Sequence, residues 1–468
     1  MELFKHPKAL WVLAFGKLWD TFSYYGTQTI LVLYFMHIFK LPRSESILLY
    51  GAYAAFTYAI PIMGGVLGDK WLGSRNTLLL GAVLNIAGNL LLISYNRYFF
   101  CLGLAASLVG SGLYKGTATH MVGTLYAAGE TRKEAGYTWL YFAVNVGGSL
   151  GPLVYGFMIY AVGWSAGFLC SAIGLALGLC WFIFNWQTYE DKQHQPNISH
   201  VGVELTYLAL LVGSVLLSLT FYYPASLNTV VGLFFVGSIG YILIMIIKYQ
   251  SAMRQRLLAL LIMSFFGMFY FAAGMQIGTS ITLFLQLKIQ QGVIHTQLPA
   301  STFSTLYCLF VLLLAPVITG LWFWLRARGI QLLIINKLAV GIFLGALGIA
   351  CFAFAAATNW IAVGLILGIL LLSAGEVVIA PAIYTAISDI APQGLKTTMM
   401  GCWFLFIGMG GYVSSLLAKF SDKVGKFLPF KSVAYVNEFL FITGFIVLVV
   451  GCLVLLIPRL KRMLGIGG

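Results

Sequence analysis

The stretch Lys17-Leu-Trp-Asp-Thr-Phe-Ser-Tyr-Tyr-Gly26 sets Lys17, Asp20 and Thr21 inside a long, otherwise apolar run from about Leu10 to Met36. An apolar run of about 20 residues crosses a bilayer as a helix. Charge at that depth is costly, faces protein or water rather than lipid, and marks a functional pathway by default. Lys17, Asp20, Thr21, Tyr24 and Gln28 recur three or four residues apart, so they share one stripe of one helix. A plainer reading stands beside the pathway: Lys17 and Asp20 pair along the helix at i,i+3.

The rest of the chain has the same character. Of 468 residues, 60% are hydrophobic and 9% are charged, where a soluble domain carries about 25% charged residues. The apolar runs are continuous and lack the short alternating segments of a barrel strand. The chain therefore reads as an all-α membrane protein with no large soluble domain. The runs predict fourteen transmembrane helices near 9–37, 46–69, 76–96, 98–122, 134–161, 165–186, 202–222, 228–249, 254–287, 302–326, 331–356, 360–389, 397–421 and 436–460.

The polar segment Gln187 to His200 follows the sixth helix and reads as the join between two bundles. This predicts a six-helix bundle over 1–190, a linker with two extra helices over 191–250, and a second six-helix bundle over 251–468. With the N-terminus inside, the inner loops hold twice the Lys and Arg of the outer loops. Both termini are then expected in the cytoplasm. Asn197-Ile-Ser matches a glycosylation sequon but falls in a loop expected to be cytoplasmic, and is set aside. The opening segment Met1 to Lys8 lacks a signal-peptide cleavage pattern, so the first span is expected to remain in the mature protein.

Several function classes drop out. The net charge of +14 does not gather into a stripe, which argues against nucleic acid. The seven cysteines form no Cys-x-x-Cys and the six histidines show no metal spacing, so neither metal nor cofactor is expected. No Walker pattern is present, which disfavours ATP-driven transport. Gly64-Gly-Val-Leu-Gly-Asp-Lys-Trp-Leu-Gly73 follows a membrane helix, not a strand; its glycines suit close helix packing, and Asp69 suits a cap or a bond across the inner helix ends. No catalytic constellation appears, and the chain is not expected to be an enzyme.

The remaining candidates are polar groups inside spans. Lys115 lies in Gly110-Ser-Gly-Leu-Tyr-Lys-Gly116, where glycines permit close helix approach, and a buried ammonium wants an anionic partner from protein or substrate. Glu376, in Ser373-Ala-Gly-Glu-Val, suits a proton carrier or a partner for an ammonium group. Asn145 is either glue between helices or a hydrogen-bonding site. Tyr24, Tyr25, Tyr58, Tyr270, Tyr307, Gln276 and Trp403 are candidates to line a pocket for an amphipathic solute.

The Gly64–Gly73 loop resembles the signature between the second and third helices of the major facilitator superfamily. Four further stretches narrow the resemblance to the proton-dependent oligopeptide transporter family. Phe22-Ser-Tyr-Tyr-Gly26 is similar to the end of its first-helix motif Glu-x-x-Glu-Arg-Phe-x-Tyr-Tyr-Gly. Lys115 matches the fourth-helix lysine, and Leu140-Tyr-Phe-Ala-Val-Asn-Val-Gly147 resembles Phe-Tyr-x-x-Ile-Asn-x-Gly. Gly375-Glu376 through Ala391-Pro392 to Met399-Met-Gly-Cys-Trp-Phe404 resembles the tenth and eleventh core helices. The resemblance implies the major facilitator fold, two six-helix bundles plus two extra helices between them. It also implies that Glu376 takes a peptide's amino terminus, Asn145 its backbone and Lys115 its carboxylate.

The departures fall on the coupling residues. The first Glu of the motif is Lys17, the second is Asp20, and the Arg is Thr21. An Asn-Pro pair common in the eighth helix is Tyr307-Cys308, and the acidic neighbour of the seventh-helix Gln276 is Met275. The expectation is a secondary transporter of di- and tripeptides or peptide-like solutes by alternating access, proton-linked through Lys17, Asp20, Lys115 and Glu376 but with altered coupling. Its partners would be peptide, protons and the lipid bilayer, in a monomer of the cell inner membrane. A carrier of another organic solute, such as a metabolite or siderophore-like compound, and a sensor that binds without transport are the alternatives.

Overall fold

The computed structural model describes residues 6–67, 72–126, 132–188, 200–330, 332–358, 360–392, 395–424 and 434–465, and every regular element among them is helical. The first helices are α1 (Lys8–His37), α2 (Arg43–Leu67), α3 (Gly73–Leu92), α4 (Arg97–Thr124), α5 (Arg132–Ala161) and α6 (Ala166–Phe184). Then come α7 (His200–Tyr222), α8 (Leu227–Ile247), α9 (Ser251–Gly274) and α10 (Ser280–Gln290). The chain continues with α11 (Thr305–Ala327), α12 (Ile334–Ala357), α13 (Ile361–Ile390), α14 (Lys396–Val424) and α15 (Ala434–Leu464). Eleven described segments are each long and apolar enough to cross a membrane. With α1, α2 and α7 the tally reaches the fourteen expected spans.

The predicted ends hold to within a few residues, with one internal difference. The span expected as a single helix over 254–287 is interrupted by a 3₁₀ turn at Met275–Gly278. Side chains support the irregular backbone there. Gln276 donates to the Ser414 carbonyl at 3.0 Å, Thr279 donates to Gln276 Oε1 at 3.1 Å, and the Thr282 hydroxyl donates to the Ile277 carbonyl. Irregular backbone at membrane depth persists only where protein satisfies its polar groups.

The helices sort into two compact units that interleave along the chain. One comprises Met1–Pro42, Phe56–Leu227 and His295–Thr305; the other comprises Arg43–Ala55, Asn228–Ile294 and Leu306–Gly468. The segment 191–250 is thus divided at Leu227, with α7 in the first unit and α8 in the second. Asp69 lies outside the described residues, as does Asn197 with most of the polar join.

In the first unit α1 packs against α4, α5 and α6. Glycines set the spacing. A Cβ at Gly147 or Gly151 of α5 would come within 2.2 Å of the Leu18 carbonyl or 2.5 Å of the Phe22 carbonyl. The α3–α4 seam is as close along its length: a Cβ at Gly88 would meet the Ser107 backbone nitrogen at 2.4 Å, and one at Gly110 the Asn85 nitrogen at 2.3 Å. Small residues let helices approach where lipid supplies no hydrophobic drive between them. In the second unit α12 packs against α9, α13 and α15, and α14 against α9. There Arg43, the first residue of α2, donates from Nη2 to both carboxylate oxygens of Glu438 of α15 at 2.7 and 2.9 Å, and Ser280, which opens α10, donates to the same carboxylate.

Candidate functional site

The polar stripe of α1 faces protein, as its spacing predicts. Lys17, Asp20, Thr21, Tyr24 and Gln28 are all buried. Lys17 Nζ stands 3.7 Å from Asp20 Oδ2. Asp20 Oδ1 accepts from the Ser111 hydroxyl at 2.7 Å and the Asn85 amide at 3.2 Å. Each of these neighbours of the carboxylate is a donor or a cation, and Oδ2 itself has no hydrogen-bond partner. Behind it the network continues: Ser107 donates to Asn85 Oδ1 at 2.8 Å, Asn89 donates to the same oxygen at 3.0 Å, and Ser23 donates to Asn89 Oδ1 at 3.0 Å. The close α3–α4 approach allows these short side chains to meet.

Lys115 sits on the α4 face toward Tyr24, with its ammonium 4.1 Å above the centre of that ring. A cation over an aromatic face gains about 0.5–2 kcal/mol, far less than a buried ion pair exchanges. Among the described residues no carboxylate pairs with Lys115. Tyr24 in turn meets Tyr25 and Tyr58 edge-on, at 4.8 and 6.3 Å between ring centres. One wall of the first unit therefore offers an ammonium and three tyrosine rings. Asn145 is buried and donates to the Tyr141 carbonyl one turn back on its own helix at 2.9 Å, leaving its Oδ1 as the acceptor on offer.

The second unit holds an acidic centre. Tyr307 donates to Glu376 Oε2. The hydroxyls of Tyr307 and Tyr270 lie 3.2 Å apart, and the Tyr270 hydroxyl donates to the Leu372 carbonyl. Ser373 fixes the Tyr307 backbone by donating to its carbonyl at 3.1 Å. Gly375 makes room for Tyr270, whose ring a Cβ there would meet at 2.5 Å. Among the described residues no cation pairs with Glu376.

Gln276 and Trp403, like Tyr270, are fully buried. Gln276 has both ends of its amide engaged at the α9–α10 break. Trp403 lies edge-on to Phe271 at 5.6 Å and against Gly267. Sequence reading missed the Asn85, Asn89, Ser107 and Ser111 cluster. Asn85 and Asn89 at i,i+4 within an apolar run were the available signal.

The profile of the POT family matches residues 75–433. Peptide transporter YePEPT of Yersinia enterocolitica is 28% identical over 88% of this chain and 88% of its own. Dipeptide and tripeptide permease A of Salmonella typhimurium is 27% identical over 99% of this chain and 94% of its own. Among solved structures, a POT family transporter in complex with 5-aminolevulinic acid superposes with a TM-score of 0.85 at 22% identity, covering 98% of both chains. Peptide transporter POT in complex with sulfate gives 0.83 at 25% identity, over 98% of this chain and 96% of that one. The likeness over nearly the whole chain assigns the major facilitator fold.

Proposed function

The chain belongs to the POT family, and from that premise we propose that it is a secondary active transporter of di- and tripeptides, or of peptide-like zwitterions, working by alternating access with proton linkage. One observation carries the substrate class. Buried charges in proteins are matched, and here Lys17 with Asp20 and Arg43 with Glu438 are matched internally. Among the described residues no carboxylate lies within ion-pairing distance of Lys115, whose nearest acidic influence is Asp20, already paired with Lys17, and no cation lies within that distance of Glu376. A ligand with a carboxylate and an ammonium supplies what each lacks: Lys115 takes the carboxylate and Glu376 the amino group. Asn145 Oδ1 accepts from a peptide N–H.

The same geometry favours Glu376 over Asp20 as the proton carrier. Asp20 already has Ser111 and Asn85 on Oδ1 and the Lys17 ammonium beside Oδ2. Around Glu376 there are three close contacts in series: Glu376 to Tyr307, Tyr307 to Tyr270, and Tyr270 to the Leu372 carbonyl. Two hydroxyls supply two protons, and three hydrogen bonds need three. A proton on Glu376 completes the series, so binding and release of that proton switch the relay between two and three bonds. The protein acts as a monomer in the bacterial inner membrane, with both termini in the cytoplasm.

Uptake of labelled di-alanine into liposomes, with and without an inward proton gradient, tests this reading. Wild type accumulates peptide with the gradient, and Glu376→Gln abolishes uptake of peptides with a free amino terminus. Unchanged uptake in that variant would refute the assignment. A second reading keeps the transporter and changes the cargo to a smaller amine-carboxylate. It is favoured by Thr21 in place of the family's Arg, which leaves Lys115 as the cation for a carboxylate, and by a family structure holding 5-aminolevulinic acid. Thermal stabilisation by such solutes, with none by dipeptides, would select it. Stabilisation without flux would make the protein a sensor.

A further inference from the structure

The second unit carries a cavity of about 390 Å³ lined by Asn228 of α8 and by Tyr412, Leu416, Lys419 and Phe420 of α14. We propose that this cavity binds the headgroup of an acidic phospholipid, with Lys419 and the Asn228 amide on the phosphodiester and Leu416 and Phe420 along the acyl chains. The four α14 residues recur at three- and four-residue steps, so they form one stripe of that helix. The Tyr412 hydroxyl donates to Asn228 Oδ1. That bond engages the amide oxygen and leaves the two N–H donors of the same amide. The polar groups left to a ligand, an ammonium and an amide N–H₂, are donors, which selects an anion.

Three features make that anion a lipid. The apolar sequence of α14 gives way at Lys419 to the polar stretch Lys419-Phe-Ser-Asp-Lys423, so Lys419 stands at the membrane–water boundary where phosphates lie. Phe420 is 55% exposed, and α8 leaves Leu233 at 70% and Val236 at 68% exposed, so the cavity borders a lipid-facing surface. Among the described residues Lys419 has no carboxylate partner. A soluble anion would leave the apolar wall of Leu416 and Phe420 in water, whereas a phospholipid covers it.

The test is native mass spectrometry of the full-length protein, delipidated in detergent and titrated with phosphatidylglycerol, phosphatidylethanolamine or sn-glycerol 3-phosphate. The proposal expects one preferred phosphatidylglycerol molecule, weaker phosphatidylethanolamine, and no retained glycerol phosphate. Lys419→Gln should weaken phosphatidylglycerol about fivefold, the worth of one lysine at a charged interface. Leu416→Trp should weaken it by filling the cavity. Lys288→Gln, at the end of α10, should leave it unchanged. Equal binding of the two lipids, unchanged binding in Lys419→Gln, or an equal loss in Lys288→Gln would overturn the site. Glycerol phosphate bound as tightly as the lipid would overturn the choice of ligand. Thermal melts without lipid keep a folding defect separate from a lost contact.

Discussion

Asp20 shows how one changed side chain recasts a neighbourhood. With Lys17 one turn before it, the carboxylate has an internal cation, and Ser111 and Asn85 occupy its other oxygen. Removing one partner of a buried pair strands the other charge, at a cost of about 3–5 kcal/mol. Asp20→Asn should therefore lower the melting temperature sharply, and Lys17→Met combined with Asp20→Asn should recover most of the loss. A double variant no more stable than Asp20→Asn would show that the pair is not the source. Tyr307 makes the complementary case. Tyr307→Phe removes the middle hydroxyl of the Glu376 relay, and gradient-driven uptake should fall about tenfold, the worth of one hydrogen bond to a charged group. Counterflow exchange should persist in that variant. Parallel loss of both modes would place Tyr307 in binding alone.

At the scale of elements, the α3–α4 seam supports the α1 site. Its glycines bring two backbones into contact, and the contact lets Asn85, Asn89, Ser107 and Ser111 reach one another. Gly88→Ala forces a methyl group to within 2.4 Å of the Ser107 nitrogen, an overpacking that costs about 1–3 kcal/mol. Gly237→Ala on α8 meets nothing within 4 Å and should leave the melting temperature unchanged or slightly raised, since Ala is the better helix former. Equal effects in the two variants would contradict the packing argument. The α9–α10 break follows the same logic: the Gln276 amide and the Thr279 and Thr282 hydroxyls stabilise a turn that the apolar pattern alone would have continued as helix.

For the whole molecule, charge placement predicts orientation. Fourteen spans put both termini on one side, and the excess of Lys and Arg in the loops on that side predicts that it is the cytoplasmic one. A fluorescent-protein fusion at the C-terminus should therefore glow, and an alkaline phosphatase fusion there should be inactive. The reverse pattern would invert the topology. The two compact units carry different chemistry: the first holds a cation over tyrosine rings, the second a carboxylate under two hydroxyls.

The sequence by itself determined the span count, the helix ends to within a few residues, the family and the charged residues at membrane depth. It could do so because apolar length and 3.6-residue periodicity are local properties, and because charge in an apolar run is conspicuous. It also carried the Lys17–Asp20 pairing, since partners three residues apart share a helix face. Only the tertiary structure decided which charges are already matched. Arg43 meets Glu438 across almost the whole chain, and no local pattern at either residue points to the other. Gln276 and Trp403 showed the same polar and aromatic signal as Tyr307, yet packing against α14 and Phe271 commits them to the interior. Lys115 and Glu376 stand out because folding leaves them outside ion-pairing distance of any opposite charge among the described residues, and ion pairs are assigned by distance in space, which spacing along a chain does not encode.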